Sequence, residues 1–250
     1  MNRHIIITGA NNGIGLTMTQ SLLEMGDCVA ALDLEVDNIA HTHPGLLPFR
    51  CDVTNPQRIQ TVVDEIFSQW GKVDVLINNA CLALFIPFEE RSLDDIRREF
   101  EVNYFGYLNM IRAVLPIMKK QGRGVVHNFS SGVGFTGMPG MTGYTSTKGA
   151  VESLTRTLAL EYASLGITFN VIHPPLTRTK SSSGLGIPPE MMADPAIVGR
   201  KLARQVGKTN PVLTPDFSNQ FQLWVSYHFR VQMGKLLAMM TERAKNTKSS

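Results

Sequence analysis

Six short apolar runs alternate with stretches of helical spacing along this chain, and this alternation limits its possible folds more than any other feature. The apolar runs cover residues 5–7, 29–32, 47–49, 73–77, 124–129 and 168–172. Helical spacing follows over residues 16–26, 56–70, 93–118 and 144–165. Apolar strands joined by helices pack into a parallel sheet that is covered on both faces. The sequence therefore predicts an α/β fold with a doubly wound parallel sheet between two layers of helices.

Length and charge narrow what the chain can bind. The 250 residues are predicted to form one domain, 1–250, whose last part, about 217–250, is unusually apolar. The net charge of +3 is too small to suggest a nucleic acid partner, and residues 217–250 alone carry +4. Three cysteines without C-x-x-C spacing predict neither disulfides nor a metal site. Cysteines without a predicted disulfide, and the lack of an apolar stretch long enough to span a bilayer, favour a cytoplasmic protein.

A glycine-rich turn, TGANNGIG, lies at residues 8–15 between the first apolar run and the first helical stretch. Glycine there permits a tight turn and a close approach of the backbone to a pyrophosphate, and the following helix offers unpaired N–H groups to its oxygens. Such a turn alone is weak evidence, because many are only turns. Its place inside a strand–helix–strand unit favours a dinucleotide site.

Asp33 ends the second apolar run, where an acidic residue that binds the adenosine ribose is expected after such a turn. Its carboxylate can accept both ribose hydroxyls and would repel a 2′-phosphate. The alternative is a plain turn aspartate at a strand end. Together with the glycine turn, Asp33 predicts NAD rather than NADP as the cofactor.

The order and spacing of several motifs resemble the short-chain dehydrogenase/reductase family over about residues 1–180. These motifs are the glycine turn, Asn78-Asn79-Ala80, Ser131, and Tyr144-x-x-x-Lys148. The resemblance implies a Rossmann fold and an oxidoreductase that transfers a hydride between NAD(H) and an alcohol or carbonyl substrate.

The resemblance also implies a catalytic set. Tyr144 would be the general acid/base, and Lys148, one helical turn later on the same face, would lower the tyrosine pKa and bind the nicotinamide ribose. Ser131 would hydrogen-bond the substrate oxygen, with Ser130 as the competing candidate. Asn103 would support a proton relay, although a helix asparagine is often only a local hydrogen-bonding residue.

The remaining residues implied by the resemblance surround the cofactor. Asp52 and Val53 match the adenine contact, Asn79 and Ala80 the ribose contact, and a segment after the sixth strand the carboxamide contact. With the catalytic pair Tyr144 and Lys148, the full cofactor set is Gly9, Asn12, Gly13, Ile14, Gly15, Asp33, Asp52, Val53, Asn79, Ala80, Pro174, Thr177 and Thr179.

Three features depart from the family pattern. Cys81 and Pro175 stand where the family usually has glycine, which puts the paths of the two cofactor loops in doubt. The usual C-terminal glycine turn is absent. A last strand is expected near residues 211–214, and the apolar stretch 217–240 is expected to form one or two helices. These helices would pack on the core or a second subunit, or else contact a membrane surface.

The predicted substrate is a small apolar alcohol or ketone, because the expected walls are mostly apolar. These walls are residues 82–87, 135–141 and 184–192, and residues 181–195 are expected to form a flexible lid. His127 and His173 are expected to be ordinary strand residues. The resemblance favours a homo-oligomer built through helices 93–118 and 144–165. Two other functions stay open: an NAD(H)-binding regulatory protein, and an epimerase or dehydratase.

Overall fold

The computed structural model of the protein describes residues 2–39, 43–185 and 187–246, and their side chains as far as Met240. Its strands are β1 (His4–Thr8), β2 (Cys28–Asp33), β3 (Leu46–Arg50), β4 (Val75–Asn78), β5 (Gly124–Phe129), β6 (Ile167–Ile172) and β7 (Val212–Leu213). Its α-helices are α1 (Gly13–Glu24), α2 (Pro56–Trp70), α3 (Leu93–Phe100), α4 (Gly106–Gln121), α5 (Val133–Thr136), α6 (Thr142–Tyr162), α7 (Pro195–Ala203), α8 (Phe217–His228) and α9 (Arg230–Asn246).

The strands form one parallel sheet in the order β3-β2-β1-β4-β5-β6-β7. Chain order therefore reverses between β1 and β4. In open sheets of this kind, ligands bind in the crevice at the carboxyl ends of the strands, next to such a reversal. The predicted doubly wound parallel sheet is confirmed.

Helices cover both faces of the sheet, as the apolar strands require. Ile5 and Ile7 of β1 belong to one core, which α1 and α7 also enter, whereas Ile6 belongs to the opposite core, with α2 and α4. Successive side chains of a strand point to opposite faces, so a wholly apolar strand supplies both cores.

Two predicted elements differ from the structure. The stretch 93–118 is not one regular helix, because a π-helical turn at Glu101–Phe105 separates α3 from α4. The interval 181–195 is not only loop: it contains two 3-10 segments, and Pro195 already begins α7. Asp194 caps α7 by accepting the Ala196 N–H, a capping signal that the sequence reading missed.

His127 of β5 is an interior residue, as expected. Its Nε2 accepts the Gly207 N–H at 2.9 Å, so the ring proton is on Nδ1, which donates to Asn170 Oδ1. Burial lowers the pKa of His127 from its ordinary 6.5 to about 4. The neutral ring is thus part of the folded structure.

This burial predicts a pH dependence of stability. Below pH 6.5 the unfolded chain binds a proton at His127, whereas the folded chain binds it only when the pH approaches about 4. Stability is therefore retained above pH 6.5 and falls by about 3 kcal/mol as the pH drops to 4. Urea unfolding from pH 7 to 4 measures this loss. A His127→Gln variant, which keeps a donor and an acceptor, should lose less over the same range. Parallel curves for the two proteins would contradict the assignment.

Candidate active site

A cleft of about 500 Å³ opens at the carboxyl ends of the strands. Its walls come from the glycine turn, the end of β2, the segments after β4, β5 and β6, the start of α6, and helices α8 and α9. Its lining combines glycine and polar residues with apolar side chains. Those apolar side chains include Phe85, Met138, Met141, Leu223, Met233 and Leu237.

The glycine turn leaves no room for side chains. A Cβ on Gly15 would lie 2.0 Å from the Gly9 carbonyl oxygen, and a Cβ on Gly13 would lie 2.9 Å from Thr179 Cγ2. Gly9 and Gly13 also have positive φ angles of 66° and 54°. The backbone therefore packs as closely as a pyrophosphate site requires.

The N-terminus of α1 is open to an anion. Asn12 holds the N-cap position in an extended conformation, but its side chain makes no capping hydrogen bond, and the first turn has no acidic residue. In α2, by contrast, Asn55 caps the helix by accepting the Arg58 N–H. The first N–H groups of α1, near Ile14, are left for phosphate oxygens, so these residues fit a dinucleotide.

Asp33 lies at the edge of the cleft with its carboxylate held in place. Oδ2 accepts the Asn11 N–H and Oδ1 accepts the Leu34 N–H, each at 2.8 Å. Each carboxylate oxygen keeps lone pairs for a further donor. Among the described residues of the cleft, the lysines are Lys148 and Lys180, and there is no arginine.

The segment after β4 is joined to the glycine turn. Asn79 Nδ2 donates to the carbonyls of Thr8 and Gly9 at 3.0 Å, and Thr8 Oγ1 accepts the N–H groups of Asn79 and Ala80. Asp52 and Val53 also line the cleft. Asn79 is thus a structural residue of the turn in addition to any ribose contact.

Tyr144, Lys148 and Ser131 meet at the cleft wall. Lys148 Nζ lies 5.5 Å from the Tyr144 ring centroid and donates to the Phe129 carbonyl at 2.9 Å. Ser131 lies close enough to the Tyr144 hydroxyl to lower its pKa. Ser130 instead faces Glu152 and the Lys148 carbonyl, at 3.5 Å from the latter. Of the two candidate serines, Ser131 is the one that reaches Tyr144.

Burial dominates the electrostatics of this cluster. It raises the pKa of Tyr144 well above its ordinary value, Cys81 raises it further, and the Ser131 hydrogen bond acts in the opposite direction. Burial also lowers the pKa of Lys148. The raised pKa favours the protonated hydroxyl of Tyr144.

Asn103 lies behind the cluster rather than in the cleft wall. It is fully buried in the π-helical turn, where its Oδ1 accepts the Leu82 N–H at 2.7 Å. Its Nδ2 donates to the Leu82 carbonyl and to Thr147 Oγ1. Asn103 therefore joins the segment after β4 to helix α6.

The segment after β6 brings Pro174, Thr177 and Thr179 to the cleft. Thr177 Oγ1 donates to the Pro175 carbonyl at 2.7 Å, and the Thr179 N–H donates to Ser182 Oγ at 2.9 Å. These bonds fix the loop despite the proline at 175.

With this geometry in place, comparison with known proteins identifies the family. The family model for short chain dehydrogenases matches residues 3–186. The chain belongs to the short-chain dehydrogenase family. The resemblance read from the motifs is thereby confirmed.

Two curated relatives illustrate the similarity. A 2-(R)-hydroxypropyl-CoM dehydrogenase of Xanthobacter autotrophicus is 35% identical over 190 residues, which are 72% of this chain and 76% of that protein. A 3-oxoacyl-[acyl-carrier-protein] reductase, FabG, of Thermotoga maritima is 34% identical over 209 residues, 80% of this chain and 82% of that one.

Solved structures agree on the fold. A 3-ketoacyl-(acyl-carrier-protein) reductase from Brucella melitensis, complexed with NADH, has a TM-score of 0.76 at 25% identity over 85% of this chain and 94% of its own. A short chain dehydrogenase from Burkholderia cenocepacia, in complex with NADP, has a TM-score of 0.82 over 94% and 97%, and its 24% identity shows the fold alone. As a member of the short-chain dehydrogenase family, the present chain is an oxidoreductase with an NAD(P) site.

Helices α8 and α9 are cleft walls that the motifs did not locate. Asn219, Gln222 and Ser226 of α8 line the cleft, and Gly234 of α9 packs so closely that a Cβ there would lie 2.6 Å from the Thr136 carbonyl oxygen. The apolar stretch 217–240 predicted helices here, but it did not indicate that they would line the cleft.

His173 and Glu152 form a second missed feature. His173 follows β6, lines the cleft, and places Nε2 2.7 Å from Glu152 Oε1. Burial acts to raise the pKa of Glu152, but the hydrogen bond and charge of His173 outweigh it, so the pKa is lowered. His173 is therefore more than an ordinary strand residue.

A buried ion pair supports the wall that holds Tyr144. The side chains of Arg91 and Glu99 are fully buried against each other, Glu99 Oε1 accepts the Leu84 N–H, and Arg91 donates to the Gly140 carbonyl. A Cβ on Gly143, next to Tyr144, would overlap Glu99. The pair thus fixes the segment after β4 against the start of α6.

For the described residues, no helix is long and apolar enough to cross a membrane. Nor does the described part of the chain gather three or more His, Cys, Asp or Glu side chains that could hold a metal ion.

Breaking the buried Arg91–Glu99 ion pair should destabilise the protein. We expect Glu99→Gln to lower the free energy of unfolding by about 3 kcal/mol or more, because it leaves the Arg91 charge buried without its counter-ion. Asp94→Asn on the same helix is the matched control, since the Asp94–Arg97 pair is exposed and its loss should cost under about 1 kcal/mol. Chemical denaturation measures both. Equal effects would show that the buried pair adds nothing.

Proposed function

We propose that the protein transfers a hydride between NAD(H) and an apolar alcohol or ketone, with Tyr144 exchanging the proton of the substrate oxygen. The observation that supports this most is the Tyr144–Ser131–Lys148 cluster in the cleft wall, beside the glycine turn. A hydroxyl that holds its proton, a second hydroxyl that can hydrogen-bond the same oxygen, and an ammonium meet there.

Each residue of the cluster has a distinct part. In the reducing direction Tyr144 donates its proton to the carbonyl oxygen as the C–O double bond becomes single, and in the oxidising direction it recovers that proton. Ser131 hydrogen-bonds the oxygen as charge develops on it. The bound dinucleotide supplies or accepts the hydride.

Lys148 and Asn103 support Tyr144. The Lys148 ammonium, directed by the Phe129 carbonyl, binds the nicotinamide ribose and favours the deprotonated tyrosine during alcohol oxidation. Asn103 positions the segment after β4 through Leu82 and α6 through Thr147, and it supports the proton relay from Lys148.

We infer that NAD is the preferred cofactor, because the carboxylate of Asp33 lies where the 2′-phosphate of NADP would have to bind. Leu34, the next residue, is 62% exposed and offers no positive charge. The proposed contacts are Gly9, Asn12, Gly13, Ile14, Gly15, Asp33, Asp52, Val53, Asn79, Ala80, Tyr144, Lys148, Pro174, Thr177 and Thr179.

The apolar side chains that line the cleft support an apolar substrate. Helices α8 and α9 form part of the cleft wall, so the chain is proposed to act as a single catalytic domain.

Exposed apolar side chains at and near α4 and α6, such as Phe105 and Leu160, support a homo-oligomer. The free thiols Cys28, Cys51 and Cys81 support a cytoplasmic location. A panel of ketones and alcohols followed by NADH absorbance tests the reaction.

Two other functions are less well supported. A regulatory protein that only binds NAD(H) would not need a buried tyrosine beside a serine and a lysine, and it would bind NADH without turnover on any substrate of the panel. An epimerase or dehydratase would turn over while retaining its bound NAD(H), so it would show no net change in NADH absorbance.

Removing the Tyr144 hydroxyl should abolish turnover and spare the fold. We expect Tyr144→Phe to reduce kcat at least about 100-fold, because only the transferable proton is lost. NADH binding, followed by fluorescence, should persist. Tyr162→Phe, at the far end of the same helix, is the matched control and should keep full activity. More than a few per cent of residual activity in Tyr144→Phe would refute the assigned role.

Cofactor preference should depend on Asp33. We expect the wild-type protein to bind NADH more tightly than NADPH by about 30- to 1,000-fold, because two anions in contact repel. Asp33→Ser with Leu34→Arg should shift preference toward NADPH, while Glu35→Ser, which removes one nearby charge, should not. Fluorescence titration of both reduced cofactors measures this. Equal or tighter NADPH binding by the wild type would rule out the role of Asp33.

A further inference from the structure

The two C-terminal helices carry their polar and apolar side chains in an unexpected arrangement. The side of α8 that lines the cleft carries one apolar side chain, Leu223, beside the polar residues Asn219, Gln222 and Ser226. The aromatic residues Phe217, Phe221 and Trp224 are 79%, 58% and 53% exposed. A helix that packs on a core usually turns its apolar side inward. Here α8 has no buried residue, and its largest side chains face away from the protein.

The exposed aromatic residues of α8 form one ordered stripe. Their spacing of four and three residues places Phe217, Phe221 and Trp224 on the same side of the helix. The rings of Phe221 and Trp224 stack with centroids 6.1 Å apart and an interplanar angle of 17°, and His228 lies 4.3 Å beyond Trp224. Ordered aromatic side chains in water indicate a surface that something covers.

Helix α9 continues this pattern after a single connecting residue, Phe229. Val231, Lys235 and Met239 are exposed and lie at intervals of four, on one side of the helix, while Met233 and Leu237 line the cleft. We call the exposed apolar sides of α8 and α9 the outer face, defined by Phe217, Phe221, Trp224, Val231, Leu236 and Met239.

The charged residues within α8 and α9, as far as Met240, have one sign, and Asp216 before α8 is paired with Lys201. Residues 217–240 contain Arg230 and Lys235 and no aspartate or glutamate. Within the described side chains, no ion pair involves either residue, and Arg230 lies over the Tyr227 ring at 5.1 Å. A second copy of the chain docking here through the same surface would bring like charges together, whereas an anionic surface would be complementary.

We propose that the outer face docks the protein on an anionic lipid bilayer. Aromatic and aliphatic side chains together with lysine and arginine are the composition with which helices lie in the membrane interface. Lys235, inside the apolar stripe of α9, has a stem long enough to keep its ammonium among the headgroups. Docking would place the cleft wall formed by α8 and α9 next to the bilayer, from which an apolar substrate could enter.

Docking does not depend on the proposed reaction, and Trp224 provides a direct measure of it. The chain has two tryptophans, so Trp70→Phe leaves Trp224 as the single reporter. This protein is mixed with vesicles of phosphatidylcholine alone or with added phosphatidylserine. We expect a blue shift of Trp224 emission and co-sedimentation with the anionic vesicles, weakened by salt. Absence of binding, or equal binding to both vesicles, would overturn the proposal.

Charge and aromatic variants test the outer face itself. Arg230→Gln with Lys235→Gln should weaken partition into anionic vesicles about 30-fold, at about five-fold per basic residue. Lys119→Gln with Lys120→Gln, which removes the same charge at the end of α4, should not weaken it. Phe221→Ser with Trp224→Ser should abolish co-sedimentation.

The remaining arms separate docking from its alternatives. Tyr144→Phe should bind vesicles like the wild type, so loss of turnover and loss of docking remain distinguishable. Sedimentation velocity should give the same assembly size for the wild type and for Phe221→Ser with Trp224→Ser. A smaller assembly in that variant would identify the outer face as a contact between copies and would refute docking on lipid.

Discussion

The close contact between the glycine turn and the end of β4 is the constraint from which the rest of the cleft follows. Gly15 must lie against the Gly9 carbonyl for α1 to begin directly beneath the turn, and Asn79 then bridges the turn to the neighbouring strand. Because this contact spans the pair β1 and β4, where strand order reverses, it fixes both halves of the sheet relative to each other.

From that contact, a series of buried polar groups extends to the reacting residues. Asn103 and Glu99 both bind the backbone of the segment after β4, through Leu82 and Leu84, and both also meet helix α6. Buried polar groups are stable only when every partner is present, so the segment and the helix keep one relative position. The start of α6, which carries Tyr144, is therefore held in place by buried residues that do not line the cleft.

Burial has opposite effects on the two titratable groups of this cluster. It favours the neutral tyrosine and the neutral lysine, because it raises the pKa of Tyr144 and lowers the pKa of Lys148. Such an environment makes proton transfer sensitive to any charge placed beside it. A positive nicotinamide would favour the deprotonated tyrosine, whereas an apolar substrate would deepen the burial. The cluster is thus suited to a proton exchange whose direction follows the redox state of the cofactor.

Local sequence signals accounted for the sheet, the glycine turn and the Tyr144–Lys148 spacing, because apolar runs, glycines and a separation of one helical turn are short-range features. The family match over residues 3–186 confirms the family, and the seven-stranded sheet confirms the fold. Features made by distant partners were missed. The Arg91–Glu99 pair and the His173–Glu152 pair join separate segments, and the π-helical turn at Glu101–Phe105 has no periodicity of its own. The contacts of Cys81 with Tyr144 likewise appear only in the folded chain.

The orientation of α8 explains why apolar surface stays outside. If the helix turned its aromatic stripe inward, Phe217, Phe221 and Trp224 would replace Asn219, Gln222 and Ser226 in the cleft wall, and their larger volumes would fill the space a substrate needs. The helix therefore turns Leu223 and three smaller polar side chains toward the cleft and leaves three large aromatic side chains partly exposed to water. Burying a fully exposed apolar side chain is worth roughly 1.5–3 kcal/mol, and covering the exposed part of these three would add a fraction of that for each. Since the cleft cannot take them, only a partner on the outside can supply that stabilisation, and the basic residues of α9 favour one that is negatively charged.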